Sequence, residues 1–237
     1  MFDHYGRIAD RMLLTEAEAG LHPISYAAPL FPPAVPAGWR LWVKRGIDVA
    51  IALSALTLFG WLLLGIALAI RLDSAGPAVF RQQRIGRDGR MFQMLKFRTM
   101  RHAPGCAGLR QATRDDPRIT RVGAWLRRTS LDELPQFINV LRGEMSVVGP
   151  RPHAPGTRAA GRLFEDVTPR YADRHRVQPG MTGLAQIRGW RGETDTELKL
   201  LRRVASDLEY IENWSVGLDL AIVLRTVPLL ARMPNAY

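Results

Sequence analysis

The most constraining feature of this sequence is residues 49–70, a stretch of 22 residues without a charged side chain. A membrane helix needs about 20 consecutive, predominantly apolar residues. A long buried helix of a soluble protein usually carries a polar stripe, whereas this stretch offers only Ser54 and Thr57. It begins too far from the N-terminus for a secretory signal peptide. We therefore expect a membrane-inserted helix.

Basic residues flank this stretch on both sides: Arg40, Lys44 and Arg45 precede it, and Arg71, Arg81, Arg84, Arg87 and Arg90 follow it. The positive-inside rule depends on an asymmetry between the two flanks. Two basic flanks instead favour a re-entrant hairpin over 40–72 with both ends in the cytoplasm. Gly60 supplies a weak point near its middle, because glycine costs a helix about 1 kcal/mol relative to alanine. A single tilted span is the alternative.

The net charge of +11 and the pI of about 10.9 arise almost entirely from residues 71–128, which hold fourteen basic and four acidic side chains. Such a patch favours a phosphorylated ligand, a polyanion or an anionic membrane surface; a solvated basic face is the simpler reading. We expect no nucleic-acid partner, because the chain has no recognisable binding motif and an uncharged membrane-length segment is out of place in such a protein.

Several site classes are excluded. The single cysteine, Cys106, rules out an intrachain disulfide and any multi-cysteine zinc site. The five histidines have no metal-ligand spacing, and the chain has neither a Walker A sequence nor G-x-G-x-x-G after a strand.

Local patterns predict a mostly helical α+β fold. They indicate an irregular, proline-containing tail over 1–39, a β-hairpin with strands at 78–83 and 90–97, a loop at 101–117, and helices at 118–128, 131–142, 196–212 and 218–230. Helix 118–128 is basic and amphipathic and carries Trp125, which suits a membrane interface; packing on its own domain is the alternative.

Ser130, Asp132 and Glu133 open the predicted helix 131–142 and allow two compatible interpretations. In the first, Ser130 and Glu133 form a capping box. In the second, one carboxylate attacks phosphorus and the other holds Mg²⁺. A helix N-terminus also favours phosphate.

Arg151 stands between Pro150 and Pro152. The prolines restrict the backbone, and arginine recognises phosphate in a forked geometry; a proline-rich turn with an incidental arginine is the alternative. Residues 176–183, rich in glycine and proline, could form a tight loop that points N–H groups at an anion.

Five strings in this order resemble the bacterial sugar transferase family of monotopic phosphoglycosyl transferases, over about residues 40–230: VKRGIDV, GPAVFRQQRIGRDGRMFQMLKFRTM, RRTSLDELPQFINVLRGEMSVVGPRPH, RHRVQPGMTGLAQIRGWRGETDT and DLEYIENWSVGLDLAIVLRT. The resemblance implies a re-entrant membrane helix and a small catalytic domain, residues 73–237, with amphipathic interfacial helices. It also implies a location in the bacterial inner membrane, at its cytoplasmic face and in contact with its lipid.

The resemblance implies a two-step exchange. Asp132 would attack the β-phosphate of a UDP-hexose and release UMP, and undecaprenyl phosphate would then take the sugar phosphate from the aspartate. Glu133 matches the Mg²⁺-binding carboxylate. Further matched positions, with roles in binding phosphate, nucleotide or sugar, are Lys96, Arg98, Arg127, Arg151, Arg176, Thr182 and Gln186.

Three features qualify this resemblance. Gly60-Trp61 stands where the family commonly has a Ser-Pro break. About 40 residues precede the core, so the chain resembles a minimal catalytic form. GWRGETDT at 189–196 resembles members that transfer glucose 1-phosphate, or sometimes galactose 1-phosphate; we expect glucose. A catalytically silent, membrane-tethered binding protein of the same fold is the competing function, and a homo-oligomer stays open.

Overall fold

The computed structural model of the protein describes residues 38–101, 116–192 and 194–232. The predicted tail, apart from its last two residues, and most of the predicted loop at 101–117 lie outside the described residues. The described helices are α1 (Trp39–Asp73), α2 (Arg121–Thr129), α3 (Gln136–Arg142), α4 (Phe164–Val167), α5 (Leu184–Ile187), α6 (Glu197–Glu212) and α7 (Val216–Arg232). The strands are β1 (Val79–Ile85), β2 (Met91–Phe97), β3 (Ser146–Val148), β4 (Arg158–Ala159), β5 (Arg162–Leu163) and β6 (Gly180–Thr182).

Helix α1 contains the uncharged stretch and is 35 residues long. It exposes a broad apolar surface that includes Leu53, Leu58, Trp61, Leu64 and Leu68. An apolar helix of this length with so little of it covered is typical of a membrane-associated protein. The break expected at Gly60-Trp61 is not seen, because both residues are helical and α1 is continuous.

Both halves of α1 pack against the rest of the chain. In the first half, the carboxylate of Asp48 accepts hydrogen bonds from Ser146 Oγ (3.0 Å) and from the backbone N–H of Val147 (2.9 Å). In the second half, Ile66 and Ile70 are buried in one apolar cluster with Phe97 and Leu126. The helix therefore forms a wall of the domain along its length.

The predicted β-hairpin is confirmed. Strands β1 and β2 pair antiparallel from Val79 opposite Phe97 to Ile85 opposite Met91. The turn places Asp88 (φ 54°) and Gly89 (φ 74°) in the left-handed region, which aspartate and glycine tolerate better than most residues. Lys96 thus lies near one end of a ribbon whose turn is at the other end.

The predicted helix 131–142 is divided, and the predicted capping box is wrong. Residues Leu131–Glu133 form a single 3₁₀ turn, and α3 begins only after Pro135. Ser130 has a left-handed backbone (φ 57°) and makes no capping hydrogen bond; its Oγ instead accepts from Arg191 Nη2 at 2.7 Å. The carboxylate of Glu133 is consequently available for other partners.

The remaining elements enclose the main core. Strands β3 and β6 pair parallel, and a short β4–β5 hairpin precedes α4. The predicted helices 196–212 and 218–230 are confirmed as α6 and α7, and α7 continues through Pro228. The core combines side chains from α3, β3, α6 and α7, among them Val140, Val148, Leu200, Leu208 and Ile222.

Gly123 in α2 lies against the backbone of Thr99, and a Cβ added at position 123 would overlap the Thr99 carbonyl. We expect Gly123→Ala to destabilise the protein by roughly 1–3 kcal/mol, because backbone rather than a flexible side chain must move. The control is Gly60→Ala in α1, where an added Cβ meets nothing within 4 Å. The Tm of both variants is measured by thermal unfolding in detergent micelles. Equal Tm values for the two variants would contradict the close contact between Gly123 and the Thr99 backbone.

Candidate active site

Asp132 and Glu133 lie in the 3₁₀ turn between α2 and α3, and both side chains are buried. Lys96 Nζ, from β2, lies 3.0 Å from Glu133 Oε1. Arg151 donates from Nη1 to Glu133 Oε2 at 3.2 Å and from Nη2 to Oε1. Glu133 thereby joins the hairpin, the turn and the proline-flanked arginine at one point.

The pKa values of the two carboxylates are shifted in opposite directions. Burial raises the pKa of Glu133, but the cations Arg151 and Lys96 outweigh it and hold that pKa well below its usual range. Burial is also the main influence on Asp132, and here it prevails over Lys96, so the pKa of Asp132 is raised. Divergent pKa values in adjacent carboxylates commonly mark different chemical roles.

Asp132 has fewer polar contacts with the described residues than Glu133 has. Its side chain accepts no hydrogen bond from any residue that the structure describes, although only 4% of the residue is exposed. A buried carboxylate that lacks a protein donor is costly unless a ligand or water completes it. Asp132 can therefore receive an incoming group, whereas both oxygens of Glu133 already have protein partners.

The backbone around Arg151 is held from several sides. Ile85 N–H donates to the His153 carbonyl at 3.0 Å, and Gly180 N–H donates to the Pro150 carbonyl at 2.8 Å. Arg174 Nη2 donates to the carbonyl of Arg151 itself at 2.7 Å. These bonds add to the φ restriction of the two prolines and fix the guanidinium relative to Glu133.

Arg174 belongs to a buried network that sequence reasoning missed. Its guanidinium lies 3.0 and 2.6 Å from Asp207 Oδ2 in α6, and each of the two side chains is 1% exposed. Another nitrogen of Arg174 lies 2.5 Å from His153 Nδ1. Burial and the Arg174 charge hold the pKa of His153 well below its usual range, so this imidazole is neutral and can accept the bond. The network anchors the 150–153 segment to α6.

Three other predicted site residues form hydrogen bonds with residues other than the carboxylate pair. Arg98 donates to the carbonyls of Ala75 (2.8 Å) and Ser74 (2.6 Å), at the C-terminal end of α1. Arg127 Nε donates to Thr99 Oγ1 at 3.0 Å. Thr182 Oγ1 lies 2.8 Å from Thr226 Oγ1 of α7.

The structure thus brings Lys96, Arg151 and Glu133 into direct contact beside Asp132. Arg176 lines a separate cavity at the N-terminal end of α1. In the described part of the chain, no hydrogen bond or ion pair joins Arg98, Arg176 or Thr182 to the carboxylate pair.

Two glutamine side chains near the site are buried. Gln136 follows the 131–133 turn in the chain, and Gln186 lies beside the segment that leads to Arg151. Gln136 is fully buried one helical turn after Asp132, and Gln186 is buried with its Oε1 close to Gly183, itself packed against Gly149. Neither amide has a hydrogen-bond partner among the described residues. Buried polar groups of this kind are usually completed by water or a ligand. Gln186 was predicted from the matched loop, whereas nothing in the sequence alone distinguishes Gln136 from a core residue.

Arg191 is a further residue that sequence reasoning did not select. It donates to Ser130 Oγ, and its charge is among those that lower the pKa of Glu133. The string GWRGETDT therefore reaches the carboxylate turn.

Asp132 and Glu133 could hold a magnesium ion only together with ligands from the substrate or water. Within residues 38–101, 116–192 and 194–232, no three His, Cys, Asp or Glu side chains come together as metal ligands. Mg²⁺ is commonly held by one or two carboxylates together with substrate phosphates and water. Asp132 and Glu133 fit that pattern, provided that Lys96 or Arg151 turns from Glu133 toward the substrate.

The Arg174–Asp207 pair should be essential for stability. Arg174→Met leaves Asp207 as an uncompensated buried charge, which typically costs about 3–5 kcal/mol. The double variant Arg174→Met/Asp207→Leu should recover most of that loss. Arg188→Met is the matched control, because Arg188 pairs with Glu209 of the same helix but on the surface, where a pair is worth about 1 kcal/mol or less. Thermal unfolding that ranks Arg188→Met as the more damaging variant would refute this assignment.

Comparison with known proteins agrees with the geometry. The family model described as bacterial sugar transferase matches residues 39–233. The undecaprenyl-phosphate glucose phosphotransferase of Komagataeibacter xylinus is 52% identical over 84% of this chain and 38% of its own length. The exopolysaccharide production protein PSS of Rhizobium leguminosarum bv. phaseoli is 51% identical over 79% of this chain and 94% of its own length.

A third relative is the UDP-glucose:undecaprenyl-phosphate glucose-1-phosphate transferase of Escherichia coli (strain K12), 52% identical over 78% of this chain and 39% of its own length. The chain thus spans about two fifths of the length of the first and third of these relatives. With the family match covering α1 through α7, the chain belongs to the bacterial sugar transferase family.

Proposed function

We propose that the protein transfers glucose 1-phosphate from UDP-glucose to undecaprenyl phosphate and releases UMP, an early membrane step in exopolysaccharide-type glycan synthesis. The names of three similar relatives support the substrates and the pathway class. The observation that carries the mechanism is the contrast between two adjacent buried carboxylates. Asp132 accepts no hydrogen bond from the described residues, whereas Glu133 is held ionised by Lys96 and Arg151.

In the first step, a carboxylate oxygen of Asp132 attacks the β-phosphorus of the UDP-sugar. The new O–P bond forms as the bond from that phosphorus to the bridging oxygen breaks, and the electron pair leaves with UMP. In the second step, a phosphate oxygen of the lipid attacks the same phosphorus, and Asp132 departs as a carboxylate. Splitting one transfer into two displacements is the usual advantage of a covalent nucleophile.

The residues around the two carboxylates would stabilise the charge of the phosphoryl group and exclude bulk water. Lys96 and Arg151 contact Glu133, and the charges of Lys96, Arg127 and Arg151 all act on Asp132. Such cations stabilise the charge that develops on a transferring phosphoryl group. Burial of Asp132 keeps bulk water from a phosphoaspartate and so limits its hydrolysis. When bound at Glu133, Mg²⁺ would neutralise diphosphate charge and stabilise the leaving UMP.

Membrane association from the cytoplasmic face is part of this proposal. Asp48 and Ile70 lie 22 positions apart on α1 and both contact the same domain, which supports an arrangement in which this part of α1 stays at one face of the membrane. The exposed leucines of α1 supply its lipid-facing surface. Leu220, Leu224 and Val227 of α7 add an exposed apolar stripe at helical spacing, as expected of an interfacial helix.

The reaction is tested by measuring UMP release from nanodisc-held protein with undecaprenyl phosphate and Mg²⁺. We expect release from UDP-glucose to exceed release from UDP-galactose and UDP-N-acetylglucosamine. Asp132→Asn should lower the rate at least about 10³-fold, as loss of a covalent nucleophile does elsewhere, while Asp166→Asn, at an exposed carboxylate, should leave it unchanged.

Omitting the lipid then tests the intermediate. Wild-type protein should release at most one UMP per chain and retain the sugar phosphate, and Asp132→Asn should do neither. Normal turnover by Asp132→Asn would reject the nucleophile assignment.

Topology is tested with a membrane-impermeant maleimide in a Cys106→Ser background. Arg40→Cys and Arg71→Cys place single thiols at exposed positions on either side of the apolar stretch. Both should react in inside-out vesicles and neither in intact spheroplasts. A single span predicts instead that one of the two thiols reacts in spheroplasts.

A further inference from the structure

A cavity of about 430 Å³ lies at the N-terminal end of α1. Its walls come from the first turns of α1, the β1–β2 turn, the segments 143–145 and 176–178, and the end of α6 with Trp214. The residues that matter for its chemistry are Trp42, Arg45, Arg87, Arg176 and Trp214.

The described residues only partly neutralise the positive charge of this cavity. Arg176 makes no hydrogen bond or ion pair with any described residue. Arg87 Nε lies 3.4 Å from Asp88 of the same turn and, although buried, makes no hydrogen bond. Arg45 donates to the carbonyls of Val140 (2.5 Å) and Leu141 (2.8 Å), which satisfy its N–H groups but leave its charge.

The other charged groups of the lining do not offset this surplus. Lys44 is paired with Asp219 at 2.7 Å. Asp48, the acidic side chain of the lining, is engaged with Ser146 and Val147. The described lining therefore contains three arginines and one carboxylate, which already has protein partners, and such a lining favours an anion with phosphate geometry.

The aromatic walls indicate where that anion comes from. Trp42 is 79% exposed on the first turns of the apolar helix α1, and Trp214 also lines the cavity. Tryptophan at the end of a membrane helix typically sits at the level of the lipid headgroups. A cavity lined by both arginines and tryptophans suits a phosphate that is attached to an apolar chain.

This cavity is distinct from the carboxylate site. Arg87 follows β1 at the turn of the hairpin, whereas Lys96 lies near the far end of β2, which is seven residues long, or about 20 Å at 3.4 Å per residue. Likewise Gly143 of the lining follows α3, whereas Glu133 precedes it. The lining contains neither Asp132 nor any partner of Glu133.

We propose that this cavity is a binding site for the phosphate headgroup of an anionic glycerophospholipid, separate from the site of sugar-phosphate transfer. Arg176 and Arg87 hold the phosphate, and Trp42 and Trp214 contact the apolar part of the same lipid. Arg45 connects α1 to the end of α3 through its hydrogen bonds to Val140 and Leu141. A lipid bound in the cavity would therefore stabilise the packing of α1 on the catalytic domain.

The test is thermal unfolding in neutral detergent with added short-chain phosphatidylglycerol. Saturating lipid should raise the Tm of the wild type by about 2–4 °C, because a ligand that binds only the folded state stabilises it. Short-chain phosphatidylcholine and inorganic phosphate at equal concentration should not. Arg176→Gln should abolish most of the rise, and Arg87→Gln should reduce it. Because Arg176 has no hydrogen bond or ion pair with the described residues, its substitution should leave the Tm without lipid unchanged.

Arg90→Gln is the matched control, an exposed arginine of the same hairpin that does not line the cavity, and it should keep the full rise. An equal rise in Arg176→Gln would overturn the proposal, and so would an equal rise with phosphatidylcholine. A rise in Tm with inorganic phosphate alone would replace the proposal with a site for free anions. Displacement of phosphatidylglycerol by equimolar undecaprenyl phosphate would replace it with a site for the lipid acceptor. The readout needs no turnover, so it is independent of the proposed reaction.

Discussion

The contact between Glu133 and its two cations is the interaction on which the rest of the site depends. A buried carboxylate loses its hydration, and only close opposite charges compensate that loss. Lys96 and Arg151 do so from separate parts of the chain. This contact fixes the hairpin and the Pro-Arg-Pro segment against the turn after α2. Among the residues that the structure describes, none donates a hydrogen bond to the adjacent Asp132, so its carboxylate is left for the incoming phosphate in the proposed reaction.

Features that depend on neighbours in the chain could be predicted from the sequence. The apolar stretch, the hairpin around Asp88 and Gly89, and the amphipathic pattern of α6 are each contained in one short segment. The turn at Ser130 was predicted as a helix start, because a serine three residues before a glutamate is the usual pattern of a capping box. The left-handed backbone of Ser130 and the distant partners Lys96, Arg151 and Arg191 decide the outcome instead.

Features that depend on distant contacts could not be predicted. Lys96 and Arg98 are two positions apart and were treated as one basic motif, but β2 ends at Phe97. Beyond the strand the alternation of side chains no longer applies, and Arg98 turns to the carbonyls that end α1. Arg174 and Asp207 are similarly far apart in sequence, and no local pattern marks them as the buried pair that holds Arg151 in place.

The position of the carboxylate turn relative to α1 explains how one site could serve a water-soluble donor and a lipid acceptor. Leu131, the residue before Asp132, packs against the cluster formed by Ile66, Ile70 and Leu126. The proposed nucleophile is therefore one residue from a side chain anchored on the membrane helix. The apolar helix thus acts as a wall of the catalytic domain as well as its attachment to the membrane.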